Sequence, residues 1–163
     1  MTQEFTIRAA TAQDLPGLLR LYGQLHPGVP APALEDAARI IADFFRYRGS
    51  AIFIGYLANE PVSTCALIVV PNLTRGGTPY ALIENVVTDT AHRGRGYARQ
   101  VLLHAIAAAW RHDCYKVMLM TGSKDPATLR FYAQAGFEQS KTGFQIRRVP
   151  ARALEAVGNA DAN

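Results

Sequence analysis

The chain has little of several things that would otherwise define its chemistry. Two of its 163 residues are cysteines, Cys65 and Cys114, far apart and without a His/Cys cluster beside them. Neither a disulfide nor a zinc site is expected from that pattern. The histidines, His26, His92, His104 and His112, share no ligand spacing, so no metal is expected. No apolar run approaches membrane-spanning length, and the opening "MTQEFTIRAATAQD" has no apolar signal core, which makes the cytoplasm the expected compartment. Neither a GxGxxG fingerprint nor a GK[ST] step occurs, so a dinucleotide fold or a P-loop is not indicated. Internal repeats and low-complexity segments are lacking as well. Basic residues number 17 against 13 acidic ones, and the resulting net charge of +4 is scattered along the chain. Such a surface suits a small anionic ligand better than a nucleic acid, and no nucleic-acid or membrane partner is expected.

What is present is ordinary globular material. Apolar residues make up 49% and charged residues 18% of a chain the length of one domain. One domain over residues 1–149, followed by a tail at 150–163, is the expected organisation.

The apolar periodicity alternates between strand and helix. "FTIRAA" reads as a strand, and "TAQDLPGLLRLYGQLHP" as a helix capped at Thr11 or Asp14. "PALEDAARIIADFFRYRG" is a second helix, stopping at Gly49. Ala51–Leu57 and Val62–Val70, joined through "ANEP", form a hairpin, and "PYALIENVVTD" adds a third strand with Glu84 and Asn85 as its polar exceptions. "CYKVMLM" reads as a short buried strand, "DPATLRFYAQAGF" as a helix stopped by Gly136, and "EQSKTGFQIRRV" as a terminal hairpin turning at Lys141–Gly143. The fold class is mixed α/β.

Between the third strand and "CYKVMLM" lies "TDTAHRGRGYARQVLLHAIAAAW". From Ala98 onward, Ala98, Val101, Leu102, Ala105, Ile106 and Ala109 share one helical face, so "RGRGYA" is a loop delivering the chain to a helix N-terminus. Such an end offers unpaired N–H groups and the positive end of the helix dipole. Gly94 and Gly96 carry no side chain to hold a phosphate away, and Arg93 and Arg95 add charge. The stretch reads as a pyrophosphate cradle. The plainer reading, glycines serving only as a turn, competes with it.

This pattern resembles the GNAT superfamily of acetyl-CoA-dependent N-acetyltransferases. "ENVVTDTAHRGRGYARQVLL" fits the R/Q-x-x-G-x-G/A loop through Arg93, Gly96 and Ala98, and "LRFYAQAGF" fits the late helix with its Gly-Phe step. Within the superfamily, "CYKVMLM", "FYAQAGF" and "FQIRR" look most like the glucosamine-phosphate N-acetyltransferase branch. The resemblance implies a central, mostly antiparallel, splayed sheet flanked by helices, with acetyl-CoA as cosubstrate and a homodimer as the assembly. It implies that the backbone of Val86, Val87 and Thr88 pairs with the pantetheine arm. It further implies that the amides of Arg93, Gly94, Arg95, Gly96, Tyr97 and Ala98 hold the pyrophosphate, and that Tyr132 protonates the departing thiolate. One departure stands out: many members place Asn and Ala where this chain has Asp125 and Thr128. Asp125 can cap the helix but adds negative charge near the cofactor, leaving Ser123 and Lys124 as alternatives for that contact.

The chemistry asks for a base independently. An alkylammonium of pKa about 10.4 is neutral in only about one part in 10³–10⁴ at pH 7, roughly 4–5 kcal/mol against attack. Glu84, a carboxylate in an otherwise apolar strand, is the candidate, directly or through water. Packing of Tyr132 as a helix aromatic and a solvated or ion-paired Glu84 are the structural alternatives. The expected function is acetyl transfer, without an acyl-enzyme, to the primary amine of a small molecule such as an amino sugar, an aminophosphonate or a polyamine-like compound. Acetylation of a protein N-terminus or lysine, and a non-catalytic CoA-binding sensor, are the alternatives.

Overall fold

The computed structural model describes residues 4–148. Strand β1 (Phe5–Ala9) leads through a single 3-10 turn (Ala12–Asp14) into helix α1 (Leu15–Leu25). The Asp14 carboxylate receives the Thr11 N–H at 2.7 Å, and Pro16 occupies the first turn, so the helix starts where its donors are satisfied. Leu15, Leu18 and Leu21 are buried from α1, and Ala37 and Ile41 from α2 (Leu34–Phe44). Three strands follow as a meander: β2 (Ala51–Leu57), β3 (Glu60–Val70) and β4 (Tyr80–Thr88). Helix α3 (Tyr97–Arg111), strand β5 (Val117–Met118) and helix α4 (Pro126–Gln134) complete the described elements.

The five strands lie in chain order in one sheet, antiparallel from β1 to β4, with β5 parallel to β4. One face carries Phe53, Cys65, Leu67 and Ile83 against Val101, Leu102 and Ala105 of α3, with Phe131 and Tyr132 of α4 packed at its margin. The other carries Ile52, Ile54 and Ala66 against Leu18 of α1 and Ile41 of α2. Both faces are therefore covered by helices, the expected mixed α/β architecture with a sheet flanked by helices.

Two features of β4 shape the site. Thr64 pairs with Val87 and Ala66 with Glu84, so Cys65 alone spans Asn85 and Val86 of β4. This is a β-bulge, with Asn85 at φ 54°, and it reverses which positions of β4 face α3: Ala81 and Ile83 before it, Val86 after it. On its other edge β4 pairs with β5 only at Ala81–Val117 and Leu82–Met118. Beyond these two pairs the strands part.

Two elements differ from what the sequence predicts. The "CYKVMLM" strand shrinks to Val117–Met118, half-buried rather than buried, because the bulged β4 offers no further pairing partner. The terminal hairpin is not formed among the described residues: 138–148 contain no strand, and Phe144 and Ile146 are 92% and 101% exposed. Their alternation is that of a strand, but β5 presents a two-residue edge, too short to template one. The tail at 150–163 lies outside the described residues.

Candidate active site

The gap between the parting strands is a cleft of ≈ 390 Å³. One wall is β4 at Ile83, Glu84, Asn85 and Val86; the opposite wall is the segment Leu119–Gly122 that follows β5. Tyr132 and Thr128 of α4 close one side, and Leu25 and His26, at the end of α1, close another. Glu84 and Tyr132, proposed from sequence as base and acid, thus line a single cavity. A second hollow of ≈ 580 Å³, bounded by Arg48, Asn72 and Arg111 among others, is larger but contains neither.

The Tyr132 ring is held by Phe131 at 5.0 Å between centroids and by Phe137 at 6.3 Å, both edge-on. The Gly-Phe step after α4 therefore returns an aromatic ring to the tyrosine, with Gly136 at φ 97° making the reversal. Burial, followed by the negative field of Glu84, pushes the Tyr132 phenol above its ordinary range. At neutral pH it keeps its proton and can donate it. Burial pushes the Cys65 thiol up to about 12, which removes it as a nucleophile.

The remaining site residues are arranged along the exit from β4. Val86 faces the cleft, whereas the Val87 side chain is buried and the Thr88 hydroxyl lies 2.8 Å from that of Ser63. Of these three only Val86 lines the cleft, while β4 has no β5 partner beyond Leu82. The loop that follows is fixed by Arg93, whose Nε donates to the Thr88 carbonyl at 3.2 Å. Gly94 and Gly96 have φ of 74° and 79°, and a Cβ built on either would meet nothing within 4 Å. The loop surface is thus open at both glycines. Gly96 is the N-cap of α3, whose first intrahelical bond runs from Gln100 N–H to the Gly96 carbonyl at 3.1 Å. The N–H groups of Tyr97, Ala98 and Arg99 precede that bond and have no intrahelical acceptor. Arg95 is exposed, while the Tyr97 ring stacks on Phe5 at 4.5 Å and so serves packing. This arrangement fits a pyrophosphate: free donors, a helix N-terminus and no side chain in the way.

Asp125 stands apart from the cleft lining. Its carboxylate accepts from Ala127 N–H at 2.9 Å and caps α4, with Ser123 Oγ accepting the Asp125 N–H at 3.2 Å. Thr128 does line the cleft, at the position where the resemblance leads one to look for Ala.

Residues unmarked in the sequence reading join the site through long-range contacts. Asp89, 8% exposed, follows β4 and accepts from Gln24 Nε2 at 3.0 Å, from Arg20 and from Ala91 N–H at 3.0 Å. Gln24 in turn accepts the Thr90 N–H at 2.8 Å. These bonds, with Gln24 first and then Arg20, hold the Asp89 carboxyl well below the usual carboxylate range. They tie α1 to the start of the glycine loop. An Asp beginning a turn is a readable cap signal, but a partner 65 residues away is not.

Comparison with known proteins agrees with this geometry. The family described as "Acetyltransferase (GNAT) family" matches residues 15–137. A glucosamine 6-phosphate N-acetyltransferase of Trypanosoma brucei brucei is 31% identical over 136 residues, 82% of this chain and 89% of that protein. A putative acetyltransferase from Agrobacterium tumefaciens str. C58 superposes with a TM-score of 0.84 at 51% identity, covering 88% of this chain and 99% of that one. A transcriptional regulator from Bacillus halodurans C-125 superposes with a TM-score of 0.79 at 28% identity, covering 88% and 99%. GNAT acetyltransferases use acetyl-CoA. With three-quarters of its length matched, a five-stranded sheet parting at β4, and helices on both faces, this chain belongs to the GNAT family and is an acetyltransferase.

Proposed function

We propose that the enzyme transfers the acetyl group of acetyl-CoA directly to the primary amine of a small molecule: an amino sugar, an aminophosphonate or a polyamine-like compound. One observation carries the reading: Glu84 and Tyr132 line the same cleft, at the point where β4 leaves β5. The relative named glucosamine 6-phosphate N-acetyltransferase supports a small amine as acceptor. Val86, Val87 and Thr88 would hold the pantetheine arm along their free edge. The amides from Arg93 to Ala98 would hold the pyrophosphate. Asp125, Ser123 and Lys124 would border its distal part.

In the reaction the acceptor ammonium gives a proton to Glu84, directly or through water. The amine nitrogen forms a bond to the thioester carbonyl carbon as the carbon–sulfur bond breaks and the departing sulfur takes the Tyr132 proton; the nitrogen then sheds its second proton, which restores Tyr132 directly or through water, and Glu84 releases the first to solvent. No acyl-enzyme is formed, consistent with the protonated state of the buried Cys65. We place the reaction in the cytoplasm, where free thiols such as Cys65 and Cys114 persist. The regulator from Bacillus halodurans favours a second reading, a CoA-binding sensor without turnover.

An amine screen with acetyl-CoA, following release of free thiol, separates the two. With the acceptor found, Tyr132→Phe lowers kcat by roughly ten- to a thousandfold at unchanged acetyl-CoA affinity, and Glu84→Gln loses rate most at low pH. Wild-type rates from both variants across the pH range would remove the assigned roles. Tight acetyl-CoA binding with no turnover on any amine would leave the sensor.

A further inference from the structure

Three observations concern the charge of the acceptor rather than its chemistry. First, among the described residues the cleft is lined by Glu84 but by no lysine or arginine. Second, the end of α1 borders the cleft through Leu25 and His26, and no basic residue occupies the last turn of that helix. The end of α1 that borders the cleft is therefore the negative end of its dipole, with no lysine or arginine in its last turn. Third, the polar residues that complete the lining, Asn85, Thr121 and Thr128, are neutral.

The requirements of the alternative acceptors differ. A phosphate is held by arginine, lysine, or backbone N–H groups at a helix N-terminus. The end of α1 offers the opposite polarity. An ammonium, by contrast, is attracted by a carboxylate and by helix C-terminal carbonyls, and hydroxyl groups can pair with Asn and Thr.

We infer that the acceptor is a primary amine carrying no phosphate or carboxylate, an unphosphorylated amino sugar or a polyamine, and that Glu84 and the C-terminal end of α1 select it by charge. This inference rests on the proposed small-molecule reading of the same cleft. It sets the chain apart from the activity named for its trypanosomal relative. Glu84 then acts twice, attracting the ammonium and accepting its proton. The Glu84 field also adds to the burial that keeps Tyr132 protonated.

The test uses acceptor pairs differing only by phosphate: glucosamine with glucosamine 6-phosphate, and ethanolamine with phosphoethanolamine. Turnover is read by thiol release, and binding by calorimetry on the CoA-loaded protein. Both are run at pH 8. The expected result is at least tenfold better kcat/KM, and tighter binding, for the unphosphorylated member. Met120 lines the cleft and is 68% exposed, so Met120→Lys adds a cation without disturbing the core. It should move the preference at least fivefold toward the phosphorylated member. Equal or stronger binding of the phosphorylated member to the wild-type protein overturns the inference, whether or not turnover occurs. Preferential binding of the unphosphorylated amine without turnover upholds the charge selection and removes the proposed acetylation.

Discussion

Gly96 illustrates how a single residue can serve the site through what it lacks. Its φ of 79° is costly for any residue with a Cβ, and the space a side chain would fill contains no protein atom within 4 Å. Replacing it with valine strains the cap of α3 and places a branched side chain over the free amides. Gly96→Val should therefore weaken acetyl-CoA binding at least tenfold, about 1.4 kcal/mol, in a variant whose circular dichroism is unchanged. Undiminished calorimetric affinity would remove the loop from the cofactor site. The glycine spacing was legible in the sequence because backbone exposure is a local property. Tyr132 was legible as a motif residue, but its raised proton affinity depends on burial and on Glu84, which lie elsewhere in the chain.

At the scale of elements, two carboxylates hold the ends of α1. Asp14 accepts from the two terminal guanidinium nitrogens of Arg8 at 2.8 Å each and from the Tyr56 hydroxyl at 2.6 Å, joining β1, β2 and the helix start. The Arg8 bonds are the main cause holding its carboxyl far below the ordinary value of 3.8. Asp89, with Gln24 and Arg20, does the same between α1 and the glycine loop. For a carboxyl whose folded-state pKa is depressed, the stabilisation is complete above the unfolded value and lost as pH falls through the folded one. The melting temperature should thus fall steadily on acidification below about pH 4. Asp14→Asn should flatten that fall while lowering stability at neutral pH and leaving acetyl-CoA affinity unchanged. An acid slope identical to wild type would show that the Asp14 cluster contributes nothing to it.

On the scale of the whole molecule, the segment after α4 is left with an uncovered apolar alternation. Phe144 and Ile146 are almost fully exposed, and β4 ends against a gap rather than a strand. We propose that residues 142–148 pair across a two-fold axis in a homodimer, which would cover both side chains. Sedimentation should report twice the monomer mass at micromolar concentration, and Phe144→Asp with Ile146→Asp should return the monomer. A concentration-independent monomer for the unaltered chain would overturn the dimer.

By itself the sequence determined the element order as far as α4, the helix caps and the glycine loop before α3, because each is written in residues a few positions apart. Thr11 and Asp14 before α1, Pro126 at the start of α4 and the Gly94–Gly96 pair before α3 all act within a turn. Strand pairing is different, since it depends on what a neighbour offers. "CYKVMLM" and "TGFQIRR" have strand composition, yet only Val117–Met118 finds an edge, because the bulge at Asn85 turns β4 aside. The same bulge opens the cleft. Only the tertiary structure decided that Glu84, Tyr132 and the end of α1 would meet there, since long-range pairing and burial, not local propensity, bring them together.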